Sequence, residues 1–244
     1  MDLLKKFNKE KSVNNERLST ETNIKDVSLE WLAKTYRYRY PYNFSWLGVP
    51  IIQYPQDIMA MQEIIWSVQP DLIIETGIAH GGSLLFYASM LELLGGDRRV
   101  IGVDINLKKH NRDIIEAHPH SQRISMVEGS SSSEQVFKEV EYLARGRKKI
   151  LVCLDSSHAH AHVLKELELY SPFVSQGSYL VVFDTLVEIL PDTFFEKRSW
   201  SKGDNPYSAV QEFLKTNTDF EVDTKIDQKL LITANPQGYL KRIN

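Results

Sequence analysis

From Asp71 onward, short apolar runs rich in β-branched residues alternate with helix-length stretches whose apolar positions recur every three or four residues. The runs predict strands over 72–75, 100–104, 124–128, 150–155 and 179–184, each ending in or beside an acidic residue. The periodic stretches predict helices over 82–94, 107–117, 134–144, 159–170 and 207–215. Such alternation is the signature of a parallel sheet with helical crossovers. Two further short strands, 220–223 and 230–234, are too close in sequence for a helical crossover and are expected to pair antiparallel. The expected fold is α/β: a doubly wound, Rossmann-like, seven-stranded sheet with its last strand antiparallel. Residues 1–50 differ in texture, being polar from Lys5 to Thr22 and aromatic-rich from Trp31 to Trp46. They predict a helical and aromatic N-terminal extension, a lid or oligomerisation segment, ahead of one domain over 51–244.

A length of 244 residues suits that arrangement. With 29 Lys and Arg against 32 Asp and Glu the net charge is −3, so the basic excess of a general nucleic-acid binder is missing. Cys153 is the sole cysteine, which leaves neither an intrachain disulfide nor a cysteine-based zinc site. The first residues lack the apolar run of a signal peptide, and no stretch approaches the roughly 18 uncharged apolar residues of a membrane span. A cytoplasmic protein without a membrane span is expected.

In a doubly wound sheet, ligands sit outside the carboxyl ends of the strands, which is where the acidic residues fall. The first strand runs through Glu75 into a turn holding Gly77, Gly81, Gly82 and Ser83, a place for backbone to approach a ligand closely. The glycine spacing matches neither a dinucleotide fingerprint nor a Walker loop, and a glycine pair also serves a plain tight turn. Asp104 closes the second strand, where a carboxylate accepts hydrogen bonds from ribose hydroxyls. Gly129, Ser130 and Ser131 follow the third strand and leave room for a flat base, while Ser132 and Ser133 also suit a helix cap. Together these outline a site for a nucleoside without phosphates, which points to S-adenosylmethionine. Glu-x-Gly-x-x-x-Gly-Gly followed by strand-end Asp104 resembles the cofactor site of class I methyltransferases, and the antiparallel last strand fits that class.

Asp155 and Asp184 end the fourth and fifth strands and so arrive side by side. Two facing carboxylates repel unless a cation lies between them. Magnesium takes oxygen ligands and keeps positions open for substrate oxygens, although either aspartate would also cap the helix after it. His158 is placed to take the proton of a hydroxyl made acidic by that metal. His158, His160 and His162 suggest zinc as well, but a helical start turns His160 away and oxygen ligands dominate nearby. Cys153 reads as a buried small hydrophobe, and His110, His118 and His120 as solvent-exposed. His80, in the glycine turn, is a candidate cofactor contact.

Trp200 to Pro206 form a polar loop with one large aromatic surface, suited to a sugar ring, in which Asn205 and Pro206 also suit a helix start. Tyr36-Arg37-Tyr38-Arg39-Tyr40 alternates aromatic and basic residues; on a nearly neutral chain it reads as a lid or an interface rather than a base-stacking platform. The aromatic segment also predicts a homo-oligomer.

The ordered set Phe44-Ser45-Trp46-Leu47-Gly48, Gln53-Tyr54-Pro55-Gln56-Asp57, Glu75-Thr76-Gly77 with Gly81-Gly82-Ser83, Glu128-Gly129-Ser130, Leu154-Asp155-Ser156-Ser157-His158, Glu166 to Tyr170 and Gly203-Asp204-Asn205-Pro206 resembles the cephalosporin hydroxylase family over about residues 40–242. Members of that family resemble class I, S-adenosylmethionine-dependent O-methyltransferases, including relatives that methylate sugars of macrolides and polysaccharides. The resemblance implies magnesium at the positions of Asp155 and Asp184, beside the methyl donor, with Asp155 touching both. Some relatives carry an acid just before the second aspartate, where this chain has Phe183, so His158 or a water stands in for a third ligand. The expected reaction is in-line transfer of a sulfonium methyl group to a hydroxyl of a small-molecule or glycan acceptor, with the metal aligning the hydroxyl and His158 as base. Three other readings compete. A nicotinamide dehydrogenase lacks its fingerprint here, a methyltransferase-like binding subunit would bind cofactor weakly or not at all, and hydroxylation lacks an evident iron-binding triad.

Overall fold

β3 (Leu72–Thr76) is buried along its whole length, as a strand covered on both faces must be. The computed structural model, which describes residues 2–244, sets it in the interior of a seven-stranded sheet, beside the central strand. Across the sheet the order is β5 (Ile124–Glu128), β4 (Arg99–Asp104), β3, β6 (Ile150–Leu154), β7 (Tyr179–Val182), β9 (Tyr239–Arg242) and β8 (Phe220–Val222). β5, β4, β3, β6 and β7 are parallel, and β9 runs antiparallel to both its neighbours. After β3 the chain builds outward to β4 and β5, then returns to lay β6 against the other side of β3. The strand order therefore switches between β3 and β6, and a crevice opens there at the carboxyl ends.

Residue alternation along the strands assigns the two cores. Ile73, Leu151, Cys153 and Val181 pack with α3 (Pro55–Val68) and α4 (Gly82–Leu94). Leu72, Ile74, Val152, Leu154, Leu180 and Val182 face α6 (Glu134–Leu143), α7 (His160–Tyr170) and α8 (Pro206–Thr216). Ile115 on α5 (Lys109–Ala117) joins the first core. Each fully buried Leu or Ile contributes about 2 kcal/mol, so this two-sided burial is what keeps the strand ends in register.

The N-terminal region is α1 (Asp2–Thr20), α2 (Thr22–Tyr36) and a small hairpin of β1 (Phe44–Trp46) with β2 (Val49–Ile51). α1 buries no residue. Leu32 of α2 and Tyr54 instead pack on Leu186, Val187, Leu190 and Phe195, a third apolar cluster set over the sheet's carboxyl end. The hairpin and α3 are elements that the alternation from Asp71 onward did not predict. Among the described residues no helix is long and apolar enough to cross a membrane.

One expected strand is corrected. Residues 230–234 do not pair; they bend away after α9 (Thr224–Lys229), and the antiparallel partner of β8 is β9. The apolar run at 230–234 imitates a strand. Its polar groups are taken elsewhere: Thr233 Oγ1 and the Ala234 amide donate to the buried Asp57 carboxylate, and Leu186 N donates to the Ala234 carbonyl. Asp155 and Asp184 also fall just beyond β6 and β7, not within them.

Candidate active site

The turn after β3 is shaped by contact with its neighbour across the switch point. Gly77 has φ +89°, and a Cβ there would overlap the Asp155 carbonyl. Only glycine lets the two strand ends close together. Asp104 locks the same turn from the other side, its Oδ2 accepting from the amides of Ile78 (2.9 Å) and Ala79 (3.2 Å). Gly77, Asp104, Gly129, Ser130, Ser131 and Asp155 all line one cavity of about 370 Å³. Gly81, Ser83 and His80 line an adjoining space of about 200 Å³, which shares Gly77 and Asp155 with the first.

Glu75 is placed differently from the other expected cofactor contacts. It lies fully buried beneath the turn, where Ser83 Oγ donates to its Oε2 at 2.7 Å. Burial pushes its carboxyl up to about 8, against the hydrogen bond from Ser83, and its side chain supports the turn from below. Ser133, not Ser132, caps α6, and Asn205 caps α8 with its oxygen accepting from Tyr207 N and Ser208 N.

At the far end of the smaller space stand Asp155, His158 and Asp184, each offering a ligand atom within 4.8 Å of the others. His158 Nε2 is 3.2 Å from Asp184 Oδ2. Burial first, then the negative charge of Asp184, drive the Asp155 carboxyl well above the usual carboxylate range. A divalent cation would remove that repulsion, and two carboxylates with one imidazole suit magnesium or manganese better than a soft metal. Neither aspartate caps a helix through its side chain. The residues therefore fit a metal. The three histidines do not form a zinc cluster: His160 bonds Ser208 Oγ and faces Glu212, while His162 Nε2 bonds Ser131 and Ser156 and faces buried Glu166.

Beyond the acid pair lies a third space of about 550 Å³, lined by His158 and Asp184 together with Tyr36, Arg39, Phe195 and Trp200. Trp200 packs edge-on against His158, with ring centroids 5.0 Å apart. The aromatic-basic run and the Trp200 loop thus meet over His158 and Asp184. Cys153 is buried mid-strand.

Two supports escaped the sequence reading. Asn235 Oδ1 accepts from the Asp184 amide at 3.1 Å, and Asn235 in turn is held by Thr233 and Tyr239, which both bond Asp57. A buried relay from α3 therefore sets the backbone of Asp184, whose φ is +57°. Gln53 is 4% exposed and lines both the smaller and the aromatic space. Both of its amide atoms lack a partner among the described residues. Gln53 stands in the resemblance motif 53–57 but nothing there gives it this position, and Asn235 is tied to the site only through Asp57, far away in the chain.

The family described as Rhamnosyl O-methyltransferase/CmcI matches residues 38–243. A rhamnosyl O-methyltransferase of Mycobacterium tuberculosis (strain ATCC 25618 / H37Rv) is 29% identical over 224 residues, covering 86% of this chain and 85% of its own. One of Mycobacterium leprae (strain TN) is 28% identical over 221 residues, covering 86% and 90%. A CmcI structure solved with Mg and SAM superposes with a TM-score of 0.58 at 18% identity, over 83% of this chain and 78% of that one. An O-methyltransferase from Bacillus cereus in complex with SAH gives 0.51 at 13% identity, over 80% and 81%. These structural likenesses establish the fold, that of class I methyltransferases. With a match spanning all but the first 37 residues and the last, the chain belongs to the Rhamnosyl O-methyltransferase/CmcI family.

Proposed function

We propose that the protein is an S-adenosylmethionine-dependent, magnesium-dependent O-methyltransferase acting on a sugar hydroxyl. What carries this is the placement of Asp155, His158 and Asp184 at the junction between a nucleoside-shaped cavity and an aromatic one. The relatives' names point to rhamnosyl groups as the first acceptors to try.

The chain's own residues divide the work. Gly77, Asp104, Gly129, Ser130 and Ser131 bind the nucleoside, and Gly81 and Ser83, with Glu75 beneath them, form the turn along its amino-acid arm. Asp155 and Asp184 hold the cation. S-adenosylmethionine supplies a methyl group on a sulfonium, and magnesium, when bound, makes a coordinated hydroxyl more acidic. His158 takes the hydroxyl proton at Nδ1, while its Nε2 faces the Asp184 carboxylate at 3.2 Å, which stabilises the charge the ring gains. Tyr36, Phe195 and Trp200 shield the transfer from water and orient the sugar face, so the segment from Tyr36 to Tyr54 acts as an acceptor-side lid.

The test is methyl transfer from labelled S-adenosylmethionine to a panel of rhamnosides and related glycosides. Label should appear as a sugar methyl ether, vanish with chelator and return with magnesium. Asp155→Ala should abolish turnover while S-adenosylhomocysteine still binds. Full turnover by that variant in the presence of chelator would remove the metal from the reaction, and absence of S-adenosylhomocysteine binding would favour a non-catalytic subunit.

A further inference from the structure

The aromatic cavity carries positive charge, and among the described residues neither Arg39 nor Arg198 is in an ion pair. Arg39 lies 5.6 Å from the centroid of Tyr42, and Arg198 lies 5.4 Å from that of Trp200. Both arginines and both rings line the cavity, as does a third arginine, Arg37, which stacks on exposed Tyr38 and donates to the Lys34 carbonyl. A guanidinium stacked on a ring keeps its N–H edge free for a bidentate acceptor and loses little further freedom when one arrives. Among the described residues, the one carboxylate lining this cavity is Asp184, and it faces His158.

The two arginines act on the same region. Burial and then Asp184 raise the Tyr36 phenol above its ordinary range, while Arg198 and Arg39 both draw it back. Tyr36, Arg39 and Arg198 line the same cavity. Deeper in stands Gln53, whose buried amide has neither donor nor acceptor satisfied. An amide in that state is completed by a group that both gives and accepts a hydrogen bond, which a sugar hydroxyl does.

Building on the O-methyltransferase reading of this site, we propose that the acceptor is a sugar bearing a fixed negative charge, phosphoryl or carboxylate. Arg39 and Arg198 grip the anion at the mouth, and Gln53 bonds a ring hydroxyl beside the acid pair. The neutral ring lies between them against Trp200. The arginines select the substrate, and Gln53 positions it.

Calorimetric titration of the full chain with S-adenosylhomocysteine and magnesium present tests this. The probes are rhamnose 1-phosphate against methyl rhamnoside, methyl glucuronide against methyl glucoside, and pyrophosphate, which needs no sugar contact. At low salt at least one anionic sugar should bind about tenfold more tightly than its neutral counterpart. That advantage should fall at about 0.5 M NaCl. Preference in the first pair alone identifies a glycosyl phosphate, and preference in the second alone identifies a uronate. R39Q/R198Q should lose the advantage and the pyrophosphate binding while keeping its S-adenosylhomocysteine affinity. Q53A should weaken sugars, charged and neutral alike, and leave pyrophosphate binding intact. Equal affinity within both pairs, an advantage that survives in R39Q/R198Q, or no binding of pyrophosphate and anionic sugars overturns the proposal. Failure to bind S-adenosylhomocysteine would instead overturn the O-methyltransferase reading beneath it.

Discussion

His158 Nε2 and Asp184 Oδ2 stand 3.2 Å apart, brought together from the loops that follow two adjacent parallel strands. Neither residue could reach the other in a chain that lacked the β6–β7 pairing. Their closeness gives the proposed cation ligand and the proposed base a shared position at the crevice.

Asp184→Asn is the cleanest way to weaken the cation site, because Asn tolerates the positive φ that this position requires. Turnover should fall by about 10²–10³-fold, the usual cost of removing one group that stabilises developing charge. S-adenosylhomocysteine affinity, read by calorimetry, should change by less than about threefold. Magnesium affinity should fall.

His158→Gln separates base from ligand. As the base, its loss should lower kcat by about 10²-fold and leave the magnesium concentration for half-maximal rate unchanged. A large rise in that concentration would make the imidazole a metal ligand.

Gly77→Ala should destabilise the protein by about 3 kcal/mol, since the new methyl group overlaps the Asp155 carbonyl at a φ that alanine also resists. Urea unfolding measures the loss. S-adenosylhomocysteine binding should weaken with it, because the same turn lines both donor-side cavities.

Asp57 gives a pH dependence of known sign. Burial lifts its carboxyl from 3.8 to about 6, against hydrogen bonds from the Ala234 amide, Thr233 and Tyr239. An acid whose folded pKa lies above its unfolded one holds its proton better when folded, so its contribution to stability declines as pH rises from about 4 to about 6 and is level above that. The decline is on the order of 3 kcal/mol. Asp57→Asn imitates the protonated form, so the wild-type-minus-variant stability difference should fall across that window. A flat difference would show that Asp57 ionises equally well in both states.

Much of this protein is written locally. β-branched runs and three-to-four-residue periodicity locate the five parallel strands and the helices after them, because each burial pattern is set by neighbours in the chain. The acids at the strand ends follow directly, since a residue just past a buried strand emerges at the crevice whatever the loop does next. Asp104, Asp155 and Asp184 were legible for that reason.

What the sequence could not decide depends on distant segments competing for the same polar groups. The run at 230–234 has the apolar texture of a strand, yet a carboxylate on α3 captures Thr233 and Ala234 and turns the segment into the support for Asp184. Gln53 and Glu75 look alike as polar residues near glycines and prolines. Only packing makes one an unsatisfied amide between two cavities and the other a fully buried acid beneath a turn. Local pattern fixes which residues are buried and which way a strand end points. Which buried group bonds which is settled only when segments some 180 residues apart, such as Asp57 and Tyr239, are folded against each other.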